Sequence, residues 1–143
     1  MTLDRWALLV HAGATLYMVG LIWFVQLVHY PLFGRVGAAG FPAYEAEHQR
    51  RTTLAVGPPM VIEALCALLL AVRVPSGAAP WVPWFGLGLL AAVWLSTALL
   101  QVPRHGELAR GFDARAHRRL VATNRLRTAL WSARGVLALA LLA

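Results

Sequence analysis

Two sets of side chains in this chain have the types and spacing to do chemistry, and their surroundings differ. Glu63 and Arg134 stand inside otherwise apolar stretches, whereas His29, His48, His105 and His117 stand near Glu45, Glu47, Glu107 and most of the arginines. A charge at mid-bilayer depth costs about 2.5–3.5 kcal/mol on insertion scales, so the first set needs mutual compensation or a task. Glu63 and Arg134 are therefore expected to pair in the interior. As a structural pair they would fix two helices; as a functional pair they would hold a substrate or relay protons. Arg127 lies seven residues before Arg134, close to two turns, and shares a helical face with it and with Thr123. That stripe could receive an anion or a polarised oxygen.

The histidines suggest acid–base or metal chemistry. His11 and His29 are 18 residues apart, five full turns, so they share a face but stand about 27 Å apart along it. One prosthetic group cannot touch both. Glu45-Ala46-Glu47-His48 contains Glu-x-x-His, which in helical bundles supplies two ligands of a dinuclear carboxylate site. A full site needs the motif twice and it occurs once, so the candidate is a mononuclear centre drawing on Glu45, His48, His105 and His117. No Cys-x-x-Cys-His attachment is present, but a haem b with inner-leaflet histidine ligands is a further option. The cofactor thus stays open between none, a metal ion and haem b. Against all of these stands the plain reading of interfacial histidines solvated beside arginines. Cys66 reads as a small buried hydrophobe.

The elements that must position these groups follow from composition. Of 143 residues 59% are hydrophobic and 13% charged, against about 25% charged in soluble domains. The deficit excludes a disordered chain and a solvated basic domain that binds nucleic acid, and one cysteine excludes a disulfide scaffold. An integral membrane protein remains, with the lipid bilayer as its first partner. A crossing helix needs about 20 apolar residues. Candidates are Trp6–Tyr30, Leu54–Val72, Trp81–Val102 and a fourth ending at Ala143, interrupted by Arg134. The first exceeds a signal-peptide core and no small-residue cleavage site follows it, so it is retained.

With polar extensions the helices are expected over 6–30, 42–74, 81–102 and 114–142, giving one membrane domain over 1–143, an all-α four-transmembrane-helix bundle. Pro42 suits a helical first turn, Asp113 an N-cap, and Gly57-Pro58-Pro59 a kink. Gly88, Ala92 and Ser96 form a small-residue stripe that lets a neighbour approach, within the bundle or in a homo-oligomer. The net charge of +7 comes from thirteen arginines and six acids. The connection after the first span holds Arg35, Arg50 and Arg51, and that after the third holds Arg104, Arg110, Arg115, Arg118 and Arg119. Only Arg5 and Arg73 fall on the other side, so both termini are expected outside the cytoplasm of a multi-pass cell-membrane protein.

The two halves share a weak pattern. Gln26…His29, Gly40-Phe41 and His48-Gln49-Arg50-Arg51 correspond to Gln101…His105, Gly111-Phe112 and His117-Arg118-Arg119. Read as a two-fold repeat of helical hairpins, this relates the halves by an axis along the membrane normal. Glu63 lies 15 residues beyond His48 and Arg134 lies 17 beyond His117, so both are expected about 22 to 26 Å along their helices, at similar depth.

Tyr30-Pro31-Leu32-Phe33, Pro103-x-His105-x-x-Leu108 and Leu120-x-x-x-Asn124-x-x-Arg127-Thr128 together resemble the anthrone oxygenase-like group of small four-helix membrane proteins. That group has Asn where His105 stands, and the likeness is best in the C-terminal third. The resemblance implies oxidation of polycyclic phenolic substrates with dioxygen and no obvious cofactor in some members. The leading reading is thus a membrane-embedded oxidoreductase or oxygenase acting on a lipophilic small molecule. Arg127, Arg134 and His105 would polarise its oxygen, and Glu63 or His48 would act as base. It expects a cavity opening to the bilayer between helices two and four. The alternatives are metal or haem binding at the cytoplasmic helix ends, and a non-catalytic structural or transport subunit.

Overall fold

The computed structural model describes residues 2–143. Helix α1 spans Leu3–Arg35, α2 Phe41–Val72, α3 Trp81–Leu108 and α4 Ala114–Ala140. Three of the four starts have a local cause. The Thr2 hydroxyl accepts the Arg5 N–H at 3.4 Å, Asp113 accepts the Ala116 N–H at 2.6 Å, and Pro42 occupies the first turn of α2, where a missing N–H costs nothing. The helix α2 continues through Pro58 and Pro59.

The expectation that α1 and α3 stop near residues 30 and 102 is corrected, because neither Pro31 nor Pro103 ends its helix. Each proline follows a π turn, Val25–His29 in α1 and Thr97–Gln101 in α3. Tyr30 N–H bonds the Val25 carbonyl and Val102 N–H bonds that of Thr97, an i to i+5 pattern. The next residue is proline, which would clash with the carbonyl four residues back in a regular helix. The wider turn relieves that clash. The two halves therefore match over Val25 to Pro31 and Thr97 to Pro103, which sets His29 against Gln101, three residues from the sequence pairing of Gln26 with Gln101.

The four helices run up and down as a bundle. Helix α1 packs against α2 and α4, and α3 against α4 and α2, leaving α1 and α3 diagonal to one another. The first and last described residues lie at one end of the bundle, and the arginine-rich connections at the other. Helices α1, α2 and α3 are long and apolar enough to cross a membrane. Helix α4 fills the fourth place with a first half rich in arginine. The outer surface carries Leu27, Leu54, Leu65 and Leu99, all more than 60% exposed, while Glu45, Glu63, Asn124 and Arg134 are buried. This is the distribution of a protein with a hydrocarbon exterior. The core between holds Met18, Ile22, Val25, Val93 and Trp131, and is closed at the arginine-rich end by Phe33, Phe41, Leu108 and Leu120.

Close helix contact is made elsewhere than expected. A Cβ on Gly88 would meet nothing within 4 Å, whereas one on Gly86 would lie 3.0 Å from Leu137. The inward stripe of α3 is Pro83, Gly86, Leu90, Val93 and Ser96, so of the expected stripe Ser96 faces inward and Gly88 faces outward.

Candidate functional site

Buried polar groups form two layers, each built from all four helices. The layer nearer the arginine-rich end contains Tyr30 from α1, Glu45 and His48 from α2, His105 from α3, and Arg127 from α4. The π turns decide which residues enter it. A 3.6-residue period from His11 brings His29 inward, but the extra residue rotates the helix so that Tyr30 is 2% exposed and His29 is only partly buried. In α3 the same rotation turns Gln101 inward, 1% exposed.

The layer holds two hydrogen-bonded groups side by side, one centred on His105 and one on His48. His105 Nδ1 lies 2.6 Å from Glu45 Oε1 and its Nε2 lies 2.9 Å from the Tyr30 hydroxyl. Arg127 donates to that hydroxyl at 3.3 Å. It is steadied by Asn124, which accepts its Nε–H at 3.0 Å and donates to Gln26 at 2.9 Å. Gln49 donates to Glu45 Oε1 at 3.1 Å, while Glu45 Oε2 is buried without a partner. His48 Nδ1 lies 2.9 Å from His29 Nε2 and 3.1 Å from Thr52 Oγ1. Those two contacts fix its ring, and its Nε2 makes no bond to another described residue.

Beside these groups is a cavity of about 210 Å³, lined on one side by Met18, Ile22, Val25, Val56, Met60 and Trp131 and at one end by Tyr30, His48, Gln101, His105 and Arg127. Its exposed lining residues are Thr53 on α2 and Val102 on α3. The outward side therefore lies between α2 and α3, not between α2 and α4 as expected.

The second layer sits one turn beyond the cavity floor, since Thr15, Glu63 and Arg134 are each three residues from Met18, Met60 and Trp131. Arg134 Nε donates to Glu63 Oε1 at 2.6 Å, and its Nη2 donates to the same oxygen. Its Nη1 donates to the Gly86 carbonyl and its Nη2 lies 3.1 Å from His11 Nε2. Thr15 Oγ1 lies 3.3 Å from Glu63 Oε1. Arginine only donates, so His11 Nε2 is the acceptor nitrogen of a neutral ring. The space beside the layer is about 10 Å³, room for one water at most.

The five expected catalytic residues therefore separate. His48, His105 and Arg127 surround the cavity; Glu63 and Arg134 pair across the bundle diagonal, as the sequence suggested, but away from it. The four residues expected to hold a metal do not converge. Among the described residues no three His, Cys, Asp or Glu side chains are placed to hold an ion. The buried Phe33 ring stands among the histidines, 5.0 Å from His48, 6.3 Å from His105 and 6.3 Å from His117 between centroids. His117 donates to the Tyr30 carbonyl at 2.7 Å, and Glu45 is taken by His105. His29 and His48 touch directly, leaving no space for haem iron between their rings. Sequence reasoning missed Tyr30 as a site residue; its signal is the proline after it, which follows the π turn here as Pro103 does in α3.

No protein family, no curated protein and no solved structure matches this chain.

Proposed function

We propose that this is a membrane-embedded oxidoreductase of the oxygenase-like kind, which binds a lipophilic, oxygen-bearing molecule in the cavity between α2 and α3. The observation that carries the reading is the cavity itself, with apolar walls at bilayer depth and ionisable groups from four helices gathered at one end. Such a site takes an apolar ring along its walls and orients it by a polar atom. His48 Nε2 is the unbonded nitrogen at that end and acts as the base for an acidic O–H or C–H. Arg127 receives the oxygen on which the negative charge collects, and His105 acts on it through the Tyr30 hydroxyl that it holds. The resulting anion is electron-rich, the form in which a phenol or enol reacts with dioxygen. Dioxygen is the oxidant this reading requires.

The arginine-rich end would face the cytoplasm, with both termini outside. At the other end only Arg5 and Arg73 fall, Arg73 lying 3.6 Å from Asp4, and it is this difference in arginine number that favours the orientation.

The test is binding of 2-tetralone, a bicyclic ketone, to the protein in lipid nanodiscs, followed by tryptophan fluorescence, to which Trp131 in the cavity wall contributes, and by oxygen uptake. Saturable binding that Val56→Trp abolishes is expected, because the larger ring fills the cavity. Absence of saturable binding, or binding indifferent to Val56→Trp, overturns the cavity as the site. Binding without oxygen uptake by any ketone or phenol tried removes the oxidoreductase part and leaves the binding site.

A further inference from the structure

Tyr30 is more elaborately held than a buried phenol requires. One hydrogen-bond partner satisfies a tyrosine hydroxyl in an interior; this one has two, both ionisable, His105 Nε2 at 2.9 Å and Arg127 at 3.3 Å. Behind His105 stands the fully buried Glu45 at 2.6 Å. The order carboxylate, imidazole, hydroxyl is that of a proton relay in which the carboxylate fixes the ring tautomer and supports its charge. The relay ends on a hydroxyl that lines the cavity, and His48 stands at the same end, its ring 6.3 Å from that of Tyr30 between centroids.

We propose that Tyr30 is the catalytic acid of this site, working opposite His48, and that the substrate class is a lipophilic ketone with an acidic hydrogen on the carbon next to its carbonyl. This rests on the cavity being the binding site. With the mobile proton on His105, its Nδ1–H donates to Glu45, its Nε2–H donates to the tyrosine oxygen, and the tyrosine O–H is free to donate into the cavity. His48 Nε2 then takes the proton from the α-carbon. The C–H electron pair becomes the carbon–carbon double bond, and the carbonyl π pair moves onto oxygen, which takes the Tyr30 proton. Tyr30 recovers a proton from His105 Nε2. The product is the enol, with one proton gained by His48 and one lost by His105. The two rings, 5.2 Å apart between centroids, restore the starting state by passing that proton back through cavity water. No oxidant enters this step. Tyr30 touches the substrate; Glu45 is a positioning residue that acts through His105.

Enolisation is read by exchange of the α-hydrogens of 2-tetralone for deuterium in heavy water, followed by proton NMR with protein in nanodiscs and empty nanodiscs as the baseline. Wild type is expected to accelerate exchange above the baseline. Tyr30→Phe keeps the ring packed on Phe33 and should bind tetralone within a few-fold of wild type while losing about 100-fold or more of the acceleration, the scale of general acid catalysis. Glu45→Gln is the second variant, with the tyrosine untouched; exchange should fall and the shape of its pH profile should change while binding persists. If Tyr30→Phe fails to fold, Glu45→Gln decides, and an unchanged rate and profile there overturn the relay. Exchange by Tyr30→Phe at the wild-type rate overturns Tyr30 as the acid. Wild type that binds tetralone without accelerating exchange overturns the enolisation and leaves the cavity standing. Wild type that does not bind it removes both.

Discussion

Replacing Glu63 alone should be among the most damaging single changes in the chain, and replacing Arg134 with it should undo most of the damage. In Glu63→Gln the amide oxygen can still accept from Arg134 and Thr15, but the guanidinium, 1% exposed, loses its counter-charge. The new amide N–H groups would point where Glu63 Oε2 already has no partner. Removing one member of a buried ion pair costs about 3–5 kcal/mol, whereas exchanging both for apolar residues ranges from neutral to about 1–4 kcal/mol stabilising. In Glu63→Leu/Arg134→Met the Gly86 carbonyl keeps its helical bond, but His11 Nε2 loses its donor, at a cost of about 1–3 kcal/mol. The double variant should therefore lie within about 3 kcal/mol of wild type, and above either single variant. The assay is loss of helical circular dichroism as sodium dodecyl sulfate is titrated into detergent micelles, run as a double-mutant cycle. Additive losses would refute the reasoning, since they mean that neither charge was compensating the other. Tetralone binding adds a second reading: the pair does not line the cavity, so a folded double variant should bind normally.

Three smaller changes probe the scaffold. Gly86→Ala places a Cβ 3.0 Å from Leu137 Cδ2 and 3.7 Å from Arg134 Nη1, an overpacking expected to cost about 1–3 kcal/mol in the same titration. Asp113→Ala removes the cap on Ala116 N–H at the start of α4 and should cost about 1 kcal/mol, with Asp113→Ser recovering most of it. Asn124→Ala leaves Gln26 Oε1 without its donor and Arg127 without its brace; about 1–3 kcal/mol of stability should go, together with part of the tetralone affinity.

The bundle was legible because its signals are local or periodic. Apolar run length gave the helices, Asp113 and Pro42 gave two of their starts, and the expense of lone charges in hydrocarbon gave the Glu63–Arg134 pair. The site was half legible. His48, His105 and Arg127 could be named by type, and they do meet at one cavity. Glu63 and Arg134 joined that group only because depth along a helix does not say which side of a hydrophobic floor a residue occupies; Met18, Met60 and Trp131 set that boundary. The metal reading failed at Phe33, an apolar ring that no spacing rule puts among four histidines. Tyr30 escaped for a different reason: helical bookkeeping assumes 3.6 residues per turn throughout, and the chain departs from it twice.

Those two departures behave as single-residue insertions that the helices absorb locally. Deleting one residue from Val25–His29 would leave Tyr30 18 residues, five full turns, beyond His11, still on the inward face, with the turns between Leu3 and Phe24 packed as before. The same deletion in Thr97–Gln101 would keep His105 turned inward and leave Gly86 and Leu90 where they are. Each helix therefore carries one residue more than its packing needs, and the chemistry beyond each π turn would survive its removal.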